Sequence, residues 1–120
     1  MATTALSTEN FEKTITDSEL VFVDFWATWC GPCKAFGPVY EKASEANPDI
    51  VFAKVDIDQN QELAGAADIK AVPTLLIAKQ GQVIFKQAGA LRSSDLDDLI
   101  EQARKLDVKA AQAASTAEQN

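Results

Sequence analysis

Along the chain the spacing of apolar and polar positions switches between the two-residue period of a strand and the three-to-four-residue period of a helix. Residues 20–25 read Leu-Val-Phe-Val-Asp-Phe, a short β-branched run that predicts a strand buried on both faces, interrupted by the carboxylate of Asp24. From Cys33 to about Asn47, the apolar Phe36, Tyr40 and Ala43 recur at three- and four-residue spacing, with Glu41, Lys42 and Glu45 elsewhere. That is the pattern of an amphipathic helix. Pro38 inside it removes an amide donor and Gly37 weakens the same turn, so a kink is expected there. Residues 50–57 alternate around Val51, Ala53 and Val55 as a second strand, and 59–67 form a short helix between Asp58 and Asp68.

Two more strands, 74–78 and 83–86, flank Lys79-Gln80-Gly81-Gln82, and the glycine allows the positive φ of a tight antiparallel hairpin. Ser93 or Ser94 is expected to cap a last helix with Leu96, Leu99, Ile100 and Ala103 on one face. Asp95, Asp97 and Asp98 in its first turn suit the positive end of the helix dipole. Ser7 is placed as the cap of a helix through Phe11 and Ile15. The expected fold class is therefore α/β: a mixed sheet, parallel βαβ plus antiparallel hairpin, with helices on both faces. Residues 1–106 are read as one domain, and 107–120, drifting into Ala, Gln, Ser and Thr, as a flexible tail.

Composition narrows the possible functions. A 120-residue chain that is 47% hydrophobic and 24% charged is expected to bury about two-thirds of its unfolded surface around one core. With a net charge of −7 and 11 Lys and Arg, it lacks the basic stripe that nucleic acid or an anionic membrane demands. No run approaches a membrane span, and the first 12 residues lack Lys, Arg and a sustained apolar stretch, so a cytoplasmic address is expected. Two cysteines and no histidine supply half the ligands of a structural zinc site; metal or iron–sulfur binding would require a second chain.

The cysteines sit in Trp29-Cys30-Gly31-Pro32-Cys33, where the first strand gives way to the long helix. Unpaired amides and the macrodipole at a helix N-terminus favour a thiolate, which makes Cys30 the nucleophile. Cys33, one turn deeper on the same face, is placed to attack a mixed disulfide at Cys30 and release the product. A purely structural crosslink is the rival reading, but a four-residue loop stabilises by only about 2 kcal/mol. Pro32 is tolerated in the first turn, and Gly31 with Pro32 keeps bulk low between the sulfurs and tunes redox poise. Asp24 alternates with Leu20 and Phe22, where burial should raise its pKa; a solvated edge carboxylate is the alternative. Trp26 and Trp29 could pack the loop or offer a flat docking surface, with core packing the role assigned to Trp26.

The run from Val23 to Lys34, Val-Asp-Phe-Trp-Ala-Thr-Trp-Cys-Gly-Pro-Cys-Lys, resembles the active-site signature of thioredoxins, the usual example of a C-x-x-C redox motif. The likeness extends over about residues 6–106 through Lys54-Val55-Asp56-Ile57-Asp58, Val72-Pro73-Thr74 and Gly89-Ala90-Leu91. It implies that Asp24 lies beneath the cysteines and accepts a proton, through water, from Cys33 as that thiol becomes the attacking group. It places Lys54 near Asp24, against the alternative of a snorkelling surface lysine. About one X-Pro bond in twenty is cis, so the residues alone predict a trans Val72-Pro73 bond; the resemblance implies cis. A cis Pro73 facing Cys30 would expose the Val72 backbone to an extended substrate segment, with Gly89 leaving room.

The function implied is a general protein disulfide reductase of low substrate selectivity, monomeric and without a cofactor of its own. Its partners would be disulfide-containing target proteins and a flavin-dependent thioredoxin reductase drawing on NADPH. An oxidase or isomerase of the same fold is the closest rival, because redox direction depends on poise. A binding module using the apolar rim of Trp29, Val72, Pro73 and Ala90 is the rival from another class.

Overall fold

The computed structural model describes residues 2–110. In chain order the elements are β1 (Thr3–Ala5), α1 (Phe11–Asp17), β2 (Leu20–Trp26), α2 (Gly31–Ala46), β3 (Val51–Asp56), α3 (Gln61–Ala66), β4 (Thr74–Lys79), β5 (Gln82–Ala88) and α4 (Ser93–Lys105). One five-stranded sheet runs in the order β1-β3-β2-β4-β5. β2 is parallel to β3 and antiparallel to β4, and β1 joins the outer edge of β3 in parallel. The mixed sheet expected from the pattern is thus present, with β1 as an additional edge strand.

Alternation along β2 sends side chains to two cores. On one face Leu20, Phe22, Phe52, Leu75 and Ile77 meet Phe36 and Tyr40 of α2 and Leu96 and Ile100 of α4. On the other, Val21, Val23, Phe25, Val55 and Leu76 meet Ile15 of α1 and Leu63 of α3. A strand covered on both faces has little room for polar residues, which accounts for the continuous apolar run around Asp24.

Several local expectations are corrected. Phe11 N–H donates to the Ser7 carbonyl while Ser7 N–H donates to Asn10 Oδ1, so α1 begins after a turn and Ser7 is not its side-chain cap. α4 is preceded by Arg92 at the N-cap position with no side-chain capping bond, so neither Ser93 nor Ser94 caps it. Pro38 lies inside α2, where the pattern places it, and the helix runs on to Ala46. The hairpin turn comprises Gln80 and Gly81, both at positive φ (53° and 80°), the backbone of a two-residue turn that matches strand twist. Lys79, read as part of that turn, is instead the last residue of β4 and is buried. The expectation of a flexible tail falls mainly on residues outside the described ones; within them, Val108 is buried.

Candidate active site

β2 ends at Trp26, and α2 begins at Gly31 after the four residues 27–30. Cys30 occupies the N-cap position, with extended backbone (φ −90°, ψ 112°), and its Sγ accepts the Cys33 N–H at 3.1 Å. Gly31 and Pro32 are the first helical residues, where the amide that proline lacks would have had no intrahelical partner. Cys30 and Cys33 are joined as a disulfide, with Cα atoms 5.3 Å apart. Both are buried and cluster with Ala27, against Trp26, Ile57 and Val72.

The segment before β4 reaches the same place. The Val72–Pro73 bond is cis, as the resemblance implies, and Cys30 Sγ lies 3.5 Å from the Val72 carbonyl oxygen. Gly89 N–H donates to the Pro73 carbonyl at 2.8 Å, which ties the end of β5 to this segment. Gly89 adopts φ +112°, a conformation side chains resist; a Cβ there would meet nothing within 4 Å, so backbone geometry rather than space calls for glycine. Ala90 follows it, exposed. Cys30, Cys33, Val72, Pro73 and Gly89 are therefore linked by direct contacts or single hydrogen bonds.

Trp29 projects outward, 67% exposed, and its Nε1–H donates to Asp58 Oδ2 at 2.9 Å. Asp58 stands in the turn after β3, where Asp56 Oδ1 accepts the Asp58 and Gln59 amides at 2.9 and 3.4 Å. Asp58 ends the run Lys54-Val55-Asp56-Ile57-Asp58 and borders the predicted 59–67 helix, and neither pattern signals a contact with Trp29. Its only signal was an acid in a turn, and the partner 29 residues away is brought by the parallel pairing of β2 with β3.

Asp24 is completely buried, and neither carboxylate oxygen has a hydrogen-bond partner among the described residues. Desolvation pushes its pKa up to about 6, with the Lys54 cation opposing the shift. Lys54 lies directly across in the β2–β3 register, but its ammonium stands over the Trp26 ring, 4.9 Å from the centroid, and forms no ion pair among the described residues. Tyr40 of α2 is also buried nearby; burial first, and the Asp24 charge second, hold its phenol protonated far above the ordinary range. Its hydroxyl donates to the Ala53 carbonyl at 2.8 Å rather than to Asp24. Among the described residues no three Cys, Asp or Glu side chains gather as a metal site, and no helix is long and apolar enough to cross a membrane.

Chemically, the arrangement holds a two-electron couple at a helix N-terminus. The Cys33 amide and the N-terminus of α2 are aimed at Cys30 Sγ, the position at which negative charge on a thiolate would be best stabilised. A carboxyl group with a pKa near neutrality can exchange a proton without a large energetic step.

Comparison with known proteins agrees with this geometry. Residues 2–102 match the family model described as Thioredoxin. The chain is similar to a protein of Streptomyces coelicolor called putative thioredoxin 2, 57% identical over 107 residues that cover 89% of this chain and 80% of the relative. Among solved structures it is similar to Plasmodium falciparum thioredoxin, 39% identical with a TM-score of 0.77, covering 82% of this chain and 97% of that one. A further likeness, 34% identical with a TM-score of 0.78 over 84% of this chain and 95% of the other, is to a structure concerned with thiol resolution in yeast mitochondrial 1-Cys peroxiredoxin by the glutathione and thioredoxin systems.

Proposed function

The chain belongs to the thioredoxin family and is a thiol–disulfide oxidoreductase acting by dithiol–disulfide exchange; from that premise we propose the following division of labour among its residues. Cys30 thiolate attacks one sulfur of a target disulfide: the Cys30–target bond forms, the target S–S bond breaks, and the second target sulfur leaves as thiolate and takes up a proton. Cys33 then loses its proton towards Asp24 and attacks Cys30 Sγ. The Cys30–Cys33 bond forms, the first target sulfur is released, and two electrons have passed from the dithiol to the target. Lys54 opposes the rise of the Asp24 pKa, so that the carboxylate form is within reach during turnover.

The target lies as an extended segment along the main chain of Val72 and Pro73, bordered by Gly89 and Ala90, with Trp29, Gly31 and Pro32 forming the exposed rim on the helix side. Main-chain recognition requires no particular side chain, which suits a reductase of many proteins. The dithiol is restored by thioredoxin reductase with electrons from NADPH, and the protein works as a cytoplasmic monomer.

The observation that carries this reading is the Cys30–Cys33 disulfide at the N-terminus of α2, with Cys30 Sγ against the Val72 carbonyl. Insulin disulfide reduction with NADPH and thioredoxin reductase tests it. Wild type should turn over, and Cys30→Ser should lose activity by at least about a thousandfold, since without the nucleophile no mixed disulfide forms. A folded but inactive wild type would redirect the reading to an oxidase or a redox-silent binding module.

A further inference from the structure

Two large apolar side chains are strongly exposed among the described residues, Trp29 and Val83. Trp29 belongs to the redox site. Val83 does not: it lies on β5 beside an open groove of about 650 Å³, within the range of binding pockets. Phe11 and Ile15 of α1, Leu63 of α3 and Leu76 of β4 line the groove together with Val83, and none of the residues assigned above to the redox site does. The reason for the opening is topological. α1 and α3 pack over β2, β3 and β4, and β5, the outermost strand, extends beyond them.

Charge and main chain narrow the occupant. Glu12 and Glu62 stand on the rim, and neither has an ion-pair partner among the described residues. The one rim cation, Lys86, is turned to the end of α3, donating to the Ala67 and Asp68 carbonyls at 3.0 and 3.5 Å. The groove is thus apolar within and acidic at its edge. β5 pairs with β4 alone, so its outer N–H and C=O groups offer an edge to which an extended chain can add. Residues 111–120 of this chain contain no Lys, no Arg and no apolar side chain larger than alanine, and a second copy with net charge −7 would meet like charge.

The geometry points to a second protein-docking site: an extended segment of a partner protein, with apolar anchors flanked by Lys or Arg, binds along β5 and inserts its anchors beside Val83. A partner held there leaves the cysteine face open for chemistry.

The test uses the full chain, isotope-labelled for amide chemical shifts, at low salt with blocked peptides Lys-Val-Leu-Val-Lys, Glu-Val-Leu-Val-Glu and Lys-Ser-Gly-Ser-Lys. The first should shift the Ile15, Leu63 and Val83 amides saturably and leave the Trp29 indole unmoved. Glu12→Gln combined with Glu62→Gln should weaken it about fivefold, Val83→Asp should abolish saturation, and insulin reduction should be unchanged in both variants. Equal binding of the acidic peptide would overturn the charge argument, and equal binding of the polar basic peptide would reduce it to net charge. Shifts centred on Trp29 would return the segment to the redox face. The same amides moving with protein concentration alone would identify a second copy as occupant, against the proposal.

Discussion

Asp24 and Lys79 are both buried, both on central strands that pair with one another, and they solve the problem of a buried charge in opposite ways. Lys79 Nζ donates to the carbonyls of Ala103, Arg104 and Leu106 at 2.8, 2.9 and 2.9 Å. An ammonium has three donors, and all three are used, at the end of α4 where unpaired carbonyls and the negative pole of the dipole collect. Asp24 has four acceptor sites and no donor among the described residues reaches any of them. The first charge holds a helix onto the sheet. The second is carried at the expense of stability, as the proton-accepting role proposed for Asp24 would require.

The contrast breaks first at Lys79. Lys79→Met keeps the buried stem and removes the three donors, leaving three helix-end carbonyls to find water; a loss of about 4 kcal/mol is expected in denaturant melts. Disulfide reduction by the remaining folded protein should be unaltered.

Asp24→Ala should act with the opposite sign. The folded pKa of about 6 lies above the unfolded value, so the folded state prefers the protonated form. The penalty is absent below the unfolded pKa, grows as pH rises, and is complete above the folded pKa, where it reaches roughly 3 kcal/mol. Removing the carboxyl should therefore stabilise the protein at neutral pH by roughly 2 kcal/mol after the lost packing is subtracted, and the gain should vanish below about pH 4. Mixed disulfide with target should accumulate in the same variant, because resolution by Cys33 slows. Melts at neutral pH showing Asp24→Ala less stable than wild type would sink this account.

Lys54→Met sharpens the same titration with a smaller effect. The Lys54 cation lowers the Asp24 pKa against desolvation, so its removal should move the pH midpoint of the Asp24 penalty upward, followed through the side-chain carboxyl resonance. Stability below that midpoint should change only by the lost contact with the Trp26 ring, about 0.5–1 kcal/mol.

What could be read from the residues alone was whatever their own periodicity or local chemistry encodes. β2, α2, β3 and the hairpin carry long enough apolar patterns to be placed within a few residues, and Cys30 at the start of α2 follows from the strand-to-helix switch. β1 escaped because Thr3-Thr4-Ala5 has no pattern of its own; it is a strand because β3 offers an edge and Glu41 accepts from the Ala2 amide and the Thr3 hydroxyl at 2.7 and 2.8 Å. Lys79 looked like a turn residue, since nothing in Lys-Gln-Gly-Gln announces three carbonyls 24 to 27 positions later. The cis bond at Pro73 came from family likeness, as residue preferences alone point to trans. β1 and Lys79 were missed because their partners are distant in sequence, whereas the caps of α1 and α4 were missed locally, where Asn10 Oδ1 accepts from the Ser7 amide and Arg92 occupies the N-cap position.

Asp58 provides the smallest and most selective test of whether a carboxylate serves architecture or chemistry. Exposed, and hydrogen-bonded to an exposed indole, it holds neither a core nor a buried charge, so Asp58→Ala should leave the melting midpoint almost unmoved. Trp29 should nevertheless lose its fixed orientation beside Cys30, seen as faster decay of indole fluorescence anisotropy, and kcat/KM for reduction of a protein disulfide should fall by about threefold, the worth of one ordinary hydrogen bond. Asp58→Asn separates the two ways the carboxylate could act. An amide oxygen still accepts from Nε1, so recovery of both readouts would assign Asp58 to positioning the ring, whereas recovery of anisotropy without kcat/KM would mean that its negative charge beside Trp29 is what the reaction senses.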